Sequence, residues 1–325
     1  MLISVIICTY NRAALLADAL QTVCQQSLDR AEYEIIVVDN NSTDSTPDVT
    51  HAFAKRYPNV RYCCEPQQGL SHARNRGWRE AKGAYVAYID DDCKAPLGWL
   101  QVAQAIIQQE QPLEFGGPFL AYYNSAKPTW WRDTYDAHHS GGTERATGYL
   151  PAKQEVFGGN LFLQRAIFTK IGGFNPVLGM NGRQLAYGEE SELHTRLCAW
   201  LPAHRAYFDP RLYVDHLVRT EKLSLWWQLH SVMVHGRAGY AIAPKRYPPF
   251  AWWEGLFFPF YALLAFGFIL LCSWVWRDRA RYPFWQNYVY EHKRLHARAH
   301  RLGAWSVYMQ ARLATAHRRR RGHAT

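Results

Sequence analysis

Residues 2–26 read Leu-Ile-Ser-Val-Ile-Ile-Cys8, then Thr9-Tyr10-Asn11-Arg12, then an amphipathic run from Ala13 to Gln26. The apolar run suits a buried strand, the polar residues a connection and the last stretch a helix. The same order recurs with Glu34–Asp39 before Ser45–Tyr57, Val60–Cys63 before Leu70–Lys82, and Ala84–Asp90 before Leu97–Glu110. Short apolar runs alternating with helical patterns predict an α/β fold, a mostly parallel sheet with helices on both faces. Such a sheet does its chemistry at the carboxyl ends of its strands. Thr9–Arg12, Asp39-Asn40-Asn41 and Asp90-Asp91-Asp92 each follow a strand's last apolar residue, so all three are expected at that edge.

Asp90-Asp91-Asp92 is the sharpest local signal. Side chains alternate along extended backbone, which predicts that Asp90 and Asp92 converge while Asp91 faces away. Two carboxylates on one side repel each other unless a cation lies between them. A hard divalent ion, Mg²⁺ or Mn²⁺, takes one or two carboxylates and completes its shell with water and substrate phosphates. A solvated acidic turn, or caps for the stretch beginning at Pro96, fits the same residues. No G-x-G-x-x-G follows the first strand and no G-x-x-x-x-G-K-[ST] occurs, so the signatures of a dinucleotide-binding dehydrogenase and a P-loop NTPase are both missing.

Further segments extend the pattern. Ser4-Val-Ile-Ile-Cys-Thr-Tyr-Asn-Arg12, Ile36-Val-Val-Asp-Asn-Asn-Ser-Thr-Asp44, Gly69-Leu-Ser-His-Ala-Arg-Asn-Arg-Gly77 and Tyr88-Ile-Asp-Asp-Asp92 are followed by three more motifs. These are Phe157-Gly-Gly-Asn-Leu-Phe162, Ile171-Gly-Gly-Phe174 and Gly188-Glu-Glu-Ser-Glu-Leu193. In order and spacing the set closely resembles the family 2 inverting glycosyltransferases of GT-A fold, over roughly residues 1–240. The resemblance implies a nucleotide diphosphate sugar donor, a UDP-sugar foremost, an acceptor hydroxyl on a glycan or lipid-linked molecule, and a divalent metal, Mg²⁺ or Mn²⁺. Thr9 and Asp39 match positions lining the nucleotide pocket, and Arg74 matches a basic residue near base and phosphates. Asp90 matches the ribose-side carboxylate, Asp91 falls in the same donor-binding motif, and Asp92 matches the metal ligand. His216, in Tyr213-Val-Asp-His216, matches a histidine that completes the metal shell or contacts the diphosphate.

Gly159 and Asn160 match the acceptor or sugar region. Glu190 stands where the family usually has the Asp that takes the acceptor proton, with Glu189 beside it as a structural or acceptor-positioning contact. Helix geometry places Glu189 on the stripe of Leu193 and Leu197, and turns Glu190 about 100° away, in line with His194. Taken singly, Thr9 fits a helix cap, Asp39 an Asx-turn through Ser42, Arg74 a solvated base and His216 a structural histidine. Paired glycines at 158–159 fit a bulge as well as close approach to a sugar.

Gly255 to Trp276 is 22 residues without a charge. As a helix it would measure about 33 Å against a hydrocarbon core of ~30 Å, with Trp252, Trp253, Trp274 and Trp276 at its ends. From Arg277 to Thr325 there are 12 Lys/Arg and 2 Asp/Glu, so the net charge of +10 belongs wholly to this tail. The expected organisation is a catalytic domain over 1–245, a membrane-associated segment over 250–276, transmembrane or re-entrant, and a basic cytosolic tail over 277–325. One full crossing would place that tail outside, against the positive-inside tendency, if the catalytic domain faces the cytosol. Pro259 and Gly267 permit a re-entrant path, with Arg277, Arg279 and Arg281 on anionic headgroups.

Arg318-Arg-Arg-Arg321 comes with no nucleic-acid motif, so no nucleic-acid partner is expected. The 7 cysteines lack C-x-x-C spacing and read as free thiols in a reducing compartment. Leu2–Cys8 is too short for a signal peptide and reads as a strand. The expectation is a cell-membrane glycosyltransferase with its catalytic domain on the cytoplasmic side. The rivals are a nucleotidyltransferase, which would release pyrophosphate, and a membrane-tethered, non-catalytic binding protein of the same fold.

Overall fold

The structure is a computed structural model and describes residues 1–135, 145–182, 184–247, 250 and 252–322. Residues 136–144, residue 251 of the expected membrane-associated segment, residues 323–325, and the side chains of Trp252, Trp253 and Arg318–Arg321 lie outside the described residues. The chain divides into two compact units. One comprises 1–124, 133–184 and 189–218, the other 125–132, 185–188 and 219–325. The 1–245 portion proposed from the sequence takes in the first unit and the first long helix of the second.

The first unit begins with the predicted alternation: β1 (Ile3–Thr9), α1 (Ala13–Cys24), β2 (Tyr33–Asp39), α2 (Thr46–Arg56), β3 (Val60–Cys64), α3 (Leu70–Glu80) and β4 (Tyr85–Ile89). β5 (Cys93–Lys94), α4 (Trp99–Glu110), β6 (Glu114–Gly116), β7 (Phe119–Tyr122), β8 (Gly148–Tyr149) and β9 (Asn160–Gln164) follow. The unit closes with α5 (Phe168–Ile171), α6 (Glu189–Trp200), β10 (Tyr207–Phe208) and β11 (Val214–Leu217). The main sheet runs β3-β2-β1-β4-β9-β6-β10-β8. β1, β2, β3 and β4 are parallel, whereas β9 lies antiparallel between β4 and β6.

Both faces of the sheet are buried, which is why its strands are apolar throughout rather than alternating. Ile3, Val5 and Ile7 pack with Leu16 and Leu20 of α1 and with Trp99 of α4. Ile6, Ile36 and Val38 pack on the opposite side with Ala73 of α3, Phe168 of α5 and Leu193 of α6. β9 begins only at Asn160, because Phe157–Gly159 forms a turn closed by the Asn160 N–H donating to the Phe157 carbonyl (3.0 Å). A small sheet, β5-β11-β7, brings His216 opposite Cys93.

The second unit is helical: α7 (Leu225–Ile242), α8 (Trp252–Val275), α9 (Trp285–Tyr290) and α10 (Lys293–Gly322). α7 and α10 touch backbone to backbone. A Cβ on Gly236 would land on the His300 carbonyl, and one on Gly303 on the Met233 carbonyl. Within α8, Phe257–Val275 is long and apolar enough to cross a membrane, with a mean hydropathy of 2.0 over 19 residues.

Candidate active site

Strand register begins the assembly. Thr9 pairs with Asp39, and Ile6 pairs with Tyr88, so three residues further on Thr9 stands level with Asp91. Thr9 Oγ1 donates to Asp91 Oδ2 at 2.8 Å. Arg12 Nη1 donates to Asp91 Oδ1 at 2.8 Å and lies 3.8 Å from Asp92 Oδ2. Asn11 makes the turn from β1 into α1 at φ 53°, a left-handed conformation that Asn tolerates better than most residues. Its Oδ1 accepts from the Thr43 N–H (2.7 Å), tying this turn to the loop after β2. Burial, opposed by Arg12 and reinforced by Asp92, pushes the Asp91 carboxyl up to about 6.

The Asp90 and Asp92 carboxylates converge. Their oxygens, with Cys93 and His216, offer ligand atoms within 4.8 Å of one another. His216 Nε2 is 3.4 Å from Asp92 Oδ1, and the ring stacks on Phe119 at 5.2 Å. Its Nδ1 is buried with no hydrogen-bond partner among the described residues. Two carboxylates and an imidazole at one point are a donor set that suits a divalent cation. Cys93 belongs to the apolar core on its strand, and its sulfur is the softest of the four donors. Asp91 is not among these ligand atoms. It is buried and holds Thr9 and Arg12 with both oxygens.

Arg74 of α3 is the second organiser. Its Nη1 lies 3.0 Å from Glu189 Oε1 and 2.9 Å from Glu190 Oε1, and its Nη2 lies 3.9 Å from Asp90 Oδ1. The guanidinium sits 5.3 Å from the Phe174 ring centroid and 5.8 Å from that of Tyr88. Burial alone would lower its pKa; the Glu190, Glu189 and Asp90 carboxylates raise it instead. The glycine pair explains itself here: a Cβ on Gly158 would strike the Glu190 carboxylate, and one on Gly159 the Asp90 carboxylate. Removing Arg74 would leave three carboxylates together without their cation. Breaking a buried pair costs ~3–5 kcal/mol, so Arg74→Leu should lower the melting temperature by roughly 10 °C, read by scanning fluorimetry, whereas a shift below ~2 °C would deny it that role.

Glu189 shares its buried face with Leu193 and Leu197, as the helical spacing predicts. Its Oε2 is buried without a hydrogen-bond partner among the described residues. Burial and the neighbouring Glu190 carboxylate, against the pull of Arg74, push Glu189 up to about 8. A carboxyl raised above its unfolded value contributes stability that is complete at low pH and is lost as pH rises through the folded pKa. Thermal stability should therefore decline from about pH 4.5 to about 8, and Glu189→Gln should flatten that decline. An unaltered slope in the variant would place the proton elsewhere.

The remaining expected residues divide. Asp39 Oδ1 accepts from the Ser42 N–H (2.8 Å) and Oδ2 from the Tyr62 hydroxyl (2.9 Å), so the Asx-turn reading describes its contacts. Asn160 is interior: Oδ1 accepts from Trp99 Nε1 (3.0 Å) and Nδ2 donates to the Leu212 carbonyl (2.6 Å). Its side chain is therefore engaged inward, and the close approach belongs to Gly159.

Three partners were missed in the sequence. Arg12 is one. Asn40 is another: it binds the Gln67 carbonyl (2.6 Å) and the Gly69 N–H (2.7 Å), fixing the loop that leads into α3. The third is a buried cluster, in which Glu114 Oε2 meets His194 Nδ1 at 2.7 Å and His204 Nε2 at 2.8 Å. Burial would lower His194, but Glu114 raises it, and hydrogen bonds from both imidazoles hold Glu114 below its usual range despite burial. The cluster ties α6, which carries Glu189 and Glu190, to β6. A glutamate at the head of the apolar strand Glu114–Gly116 was its one sequence signal.

An α/β sheet of this order with an acidic cluster at the parallel strand ends is the GT-A architecture. The mannosyltransferase PcManGT from Pyrobaculum calidifontis, solved in complex with GDP-Man and Mn²⁺, shares the fold with a TM-score of 0.58 at 18% identity, over 95% of this chain and 86% of that one. Glycosyl transferase family 2 matches residues 4–172, more than half of the chain. The chain belongs to that family. It is 38% identical over 100 residues to glycosyltransferase AglE of Haloferax volcanii, a match spanning 30% of this chain and only 33% of that protein. With the glucosyl-dolichyl phosphate glucuronosyltransferase of the same organism it shares 23% identity over 231 residues, 70% of this chain and 72% of that protein.

Proposed function

We propose that this chain is a metal-dependent, inverting glycosyltransferase that moves a sugar from a nucleotide diphosphate sugar to an acceptor hydroxyl. The reading rests on one observation above all: Asp90, Asp92, His216, Arg74 and Glu190 meet at the carboxyl edge of the parallel strands. Thr9, Asp39 and Arg74 border the nucleotide, with Asp90 toward the ribose and Asp91 holding Thr9 and Arg12 in place. Asp92 and His216 would hold Mg²⁺ or Mn²⁺. When bound, such an ion neutralises charge on the departing diphosphate as a Lewis acid. Gly158 and Gly159, lacking side chains, let the Glu190 and Asp90 carboxylates lie against the backbone on the sugar side of the site. Glu190, placed by Arg74, accepts the proton of the acceptor hydroxyl as that oxygen attacks the anomeric carbon from the face opposite the diphosphate. Displacement in one step inverts the configuration.

The complex of PcManGT with GDP-Man and Mn²⁺ supports a nucleotide sugar and a metal. The name of the glucuronosyltransferase relative supports a lipid-linked acceptor. The apolar helix α8 supports attachment to a membrane, and the proposed reading sets the reaction at the cytoplasmic face, in assembly of a surface glycan. The test is a panel of nucleotide sugars, UDP-sugars first, assayed for nucleoside diphosphate release with Mg²⁺, Mn²⁺ or chelator. Metal-stimulated release from one donor class is expected. Pyrophosphate formed from a nucleoside triphosphate and a sugar phosphate would favour a nucleotidyltransferase, and turnover of neither would favour a binding protein.

A further inference from the structure

The second unit carries a helix whose two faces differ. Phe258, Ile269 and Ser273 of α8, at i, i+11 and i+15, are buried and lie on one stripe. Phe260, Leu263, Leu264, Phe268, Leu271 and Trp274 point outward and are more than half exposed. A helix apolar on its outer face has no reason to stay in water.

What lies along the inner stripe decides how the outer face is used. After α8 the chain turns at Trp276–Phe284 and comes back beside it. At the C-terminal end of α8, Arg277 Nη1 donates to the Ser273 carbonyl (2.9 Å), and α9 packs on the helix. At the N-terminal end, the Arg298 guanidinium stands 5.7 Å from the Tyr261 ring centroid and that of Arg301 5.9 Å from the Phe258 centroid. The returning chain therefore spans much of the length of α8, and it carries Lys293 and Arg294 exposed at the head of α10. If α8 crossed a bilayer, these cations would be drawn into the hydrocarbon, where a charged side chain is costly. If α8 lies in the plane of the interface, the outer face enters the acyl boundary and the cations stay at headgroup level.

We infer that α8 is an in-plane membrane anchor: its outer face dips into an anionic bilayer, and the basic chain returning beside it, with Arg279 and Arg281, engages the headgroups. Charge complementarity selects the partner, since this region holds the whole net positive charge of the protein. Residues on both flanks of α8 then lie on the same side of the membrane, which removes the conflict between a cytosolic catalytic domain and a basic tail. The inference rests on the membrane attachment in the proposed function and specifies its form.

The full chain is mixed with preformed vesicles containing phosphatidylglycerol and carrying no protein inside. Lys245→Cys and Arg279→Cys, both exposed and on opposite flanks of α8, are labelled with a membrane-impermeant maleimide and read against the wild-type thiols. Both positions should label equally before and after detergent. The triple variant Phe260→Glu/Leu264→Glu/Phe268→Glu should lose at least ~10-fold in vesicle co-flotation while keeping donor turnover. Protection of residue 279 until detergent is added would mean a crossing helix and overturn the inference. So would undiminished co-flotation of the triple variant, or a discrete lipid-free dimer that never binds vesicles. Donor turnover without vesicle binding would sink the anchor and leave the transferase reading standing. Vesicle binding with both positions outside but no donor turnover would do the reverse.

Discussion

Asp92→Ala should abolish metal-stimulated release of nucleoside diphosphate while the chain keeps its fold. Asp92 lies three residues beyond the end of β4, outside the packed strand, and its removal leaves His216 without its carboxylate partner. The remaining donors would be one carboxylate and a soft thiol beside the imidazole, a poor set for a hard cation. Donor turnover with Mn²⁺ and a thermal melt on the same preparation check both halves. Activity surviving in Asp92→Ala at a tenth or more of wild type would remove this residue from the metal site. Asp91→Ala is the informative companion. With both oxygens occupied by Thr9 and Arg12, its loss should appear in the melt as well as in turnover, unlike that of Asp92.

Glu190→Gln should preserve donor and metal binding and cut transfer to acceptor by at least ~10²-fold, the scale of a lost general base. The amide keeps the shape that fills the space beside Gly158 and can still accept from Arg74, so the fold should be unaffected. Glu189 offers the contrast: it is buried, raised to about 8 and held by the same guanidinium. Its Gln variant should change stability with pH more than it changes the rate. Normal transfer by Glu190→Gln together with failure of Glu189→Gln would move the base one residue back.

The strand-and-helix order over the first 110 residues, and the gathering of Thr9, Asp39 and Asp90 at one sheet edge, could be read from the sequence, because apolar periodicity and parallel topology are local consequences of side-chain type. The convergence of Asp90 and Asp92 was legible in the run Asp90-Asp91-Asp92. It could not show what Asp91 would meet, since Arg12 reaches it only through the Asn11 turn and the β1–β4 register. Asn160 looked like a sugar contact, whereas its amide is used by Trp99 and Leu212, residues 61 and 52 positions away. The Glu114–His194–His204 cluster joins positions 80 and 90 residues apart and left no periodic trace. Long-range polar pairing of this kind is fixed by packing and not by spacing. The apolar run at α8 was plain, but the basic chain lying beside it could be seen only once the return through α9 was in place.

The central claim is that the strand-end cluster binds the metal and nucleotide of a sugar-transfer reaction. Anomalous diffraction from crystals of the chain grown with Mn²⁺ and a nucleoside diphosphate tests it most directly. A single manganese peak among Asp90, Asp92 and His216, in contact with the diphosphate, is the predicted result. A peak at Glu114, His194 and His204 instead, or a nucleotide bound away from Thr9, Asp39 and Arg74, would contradict the account.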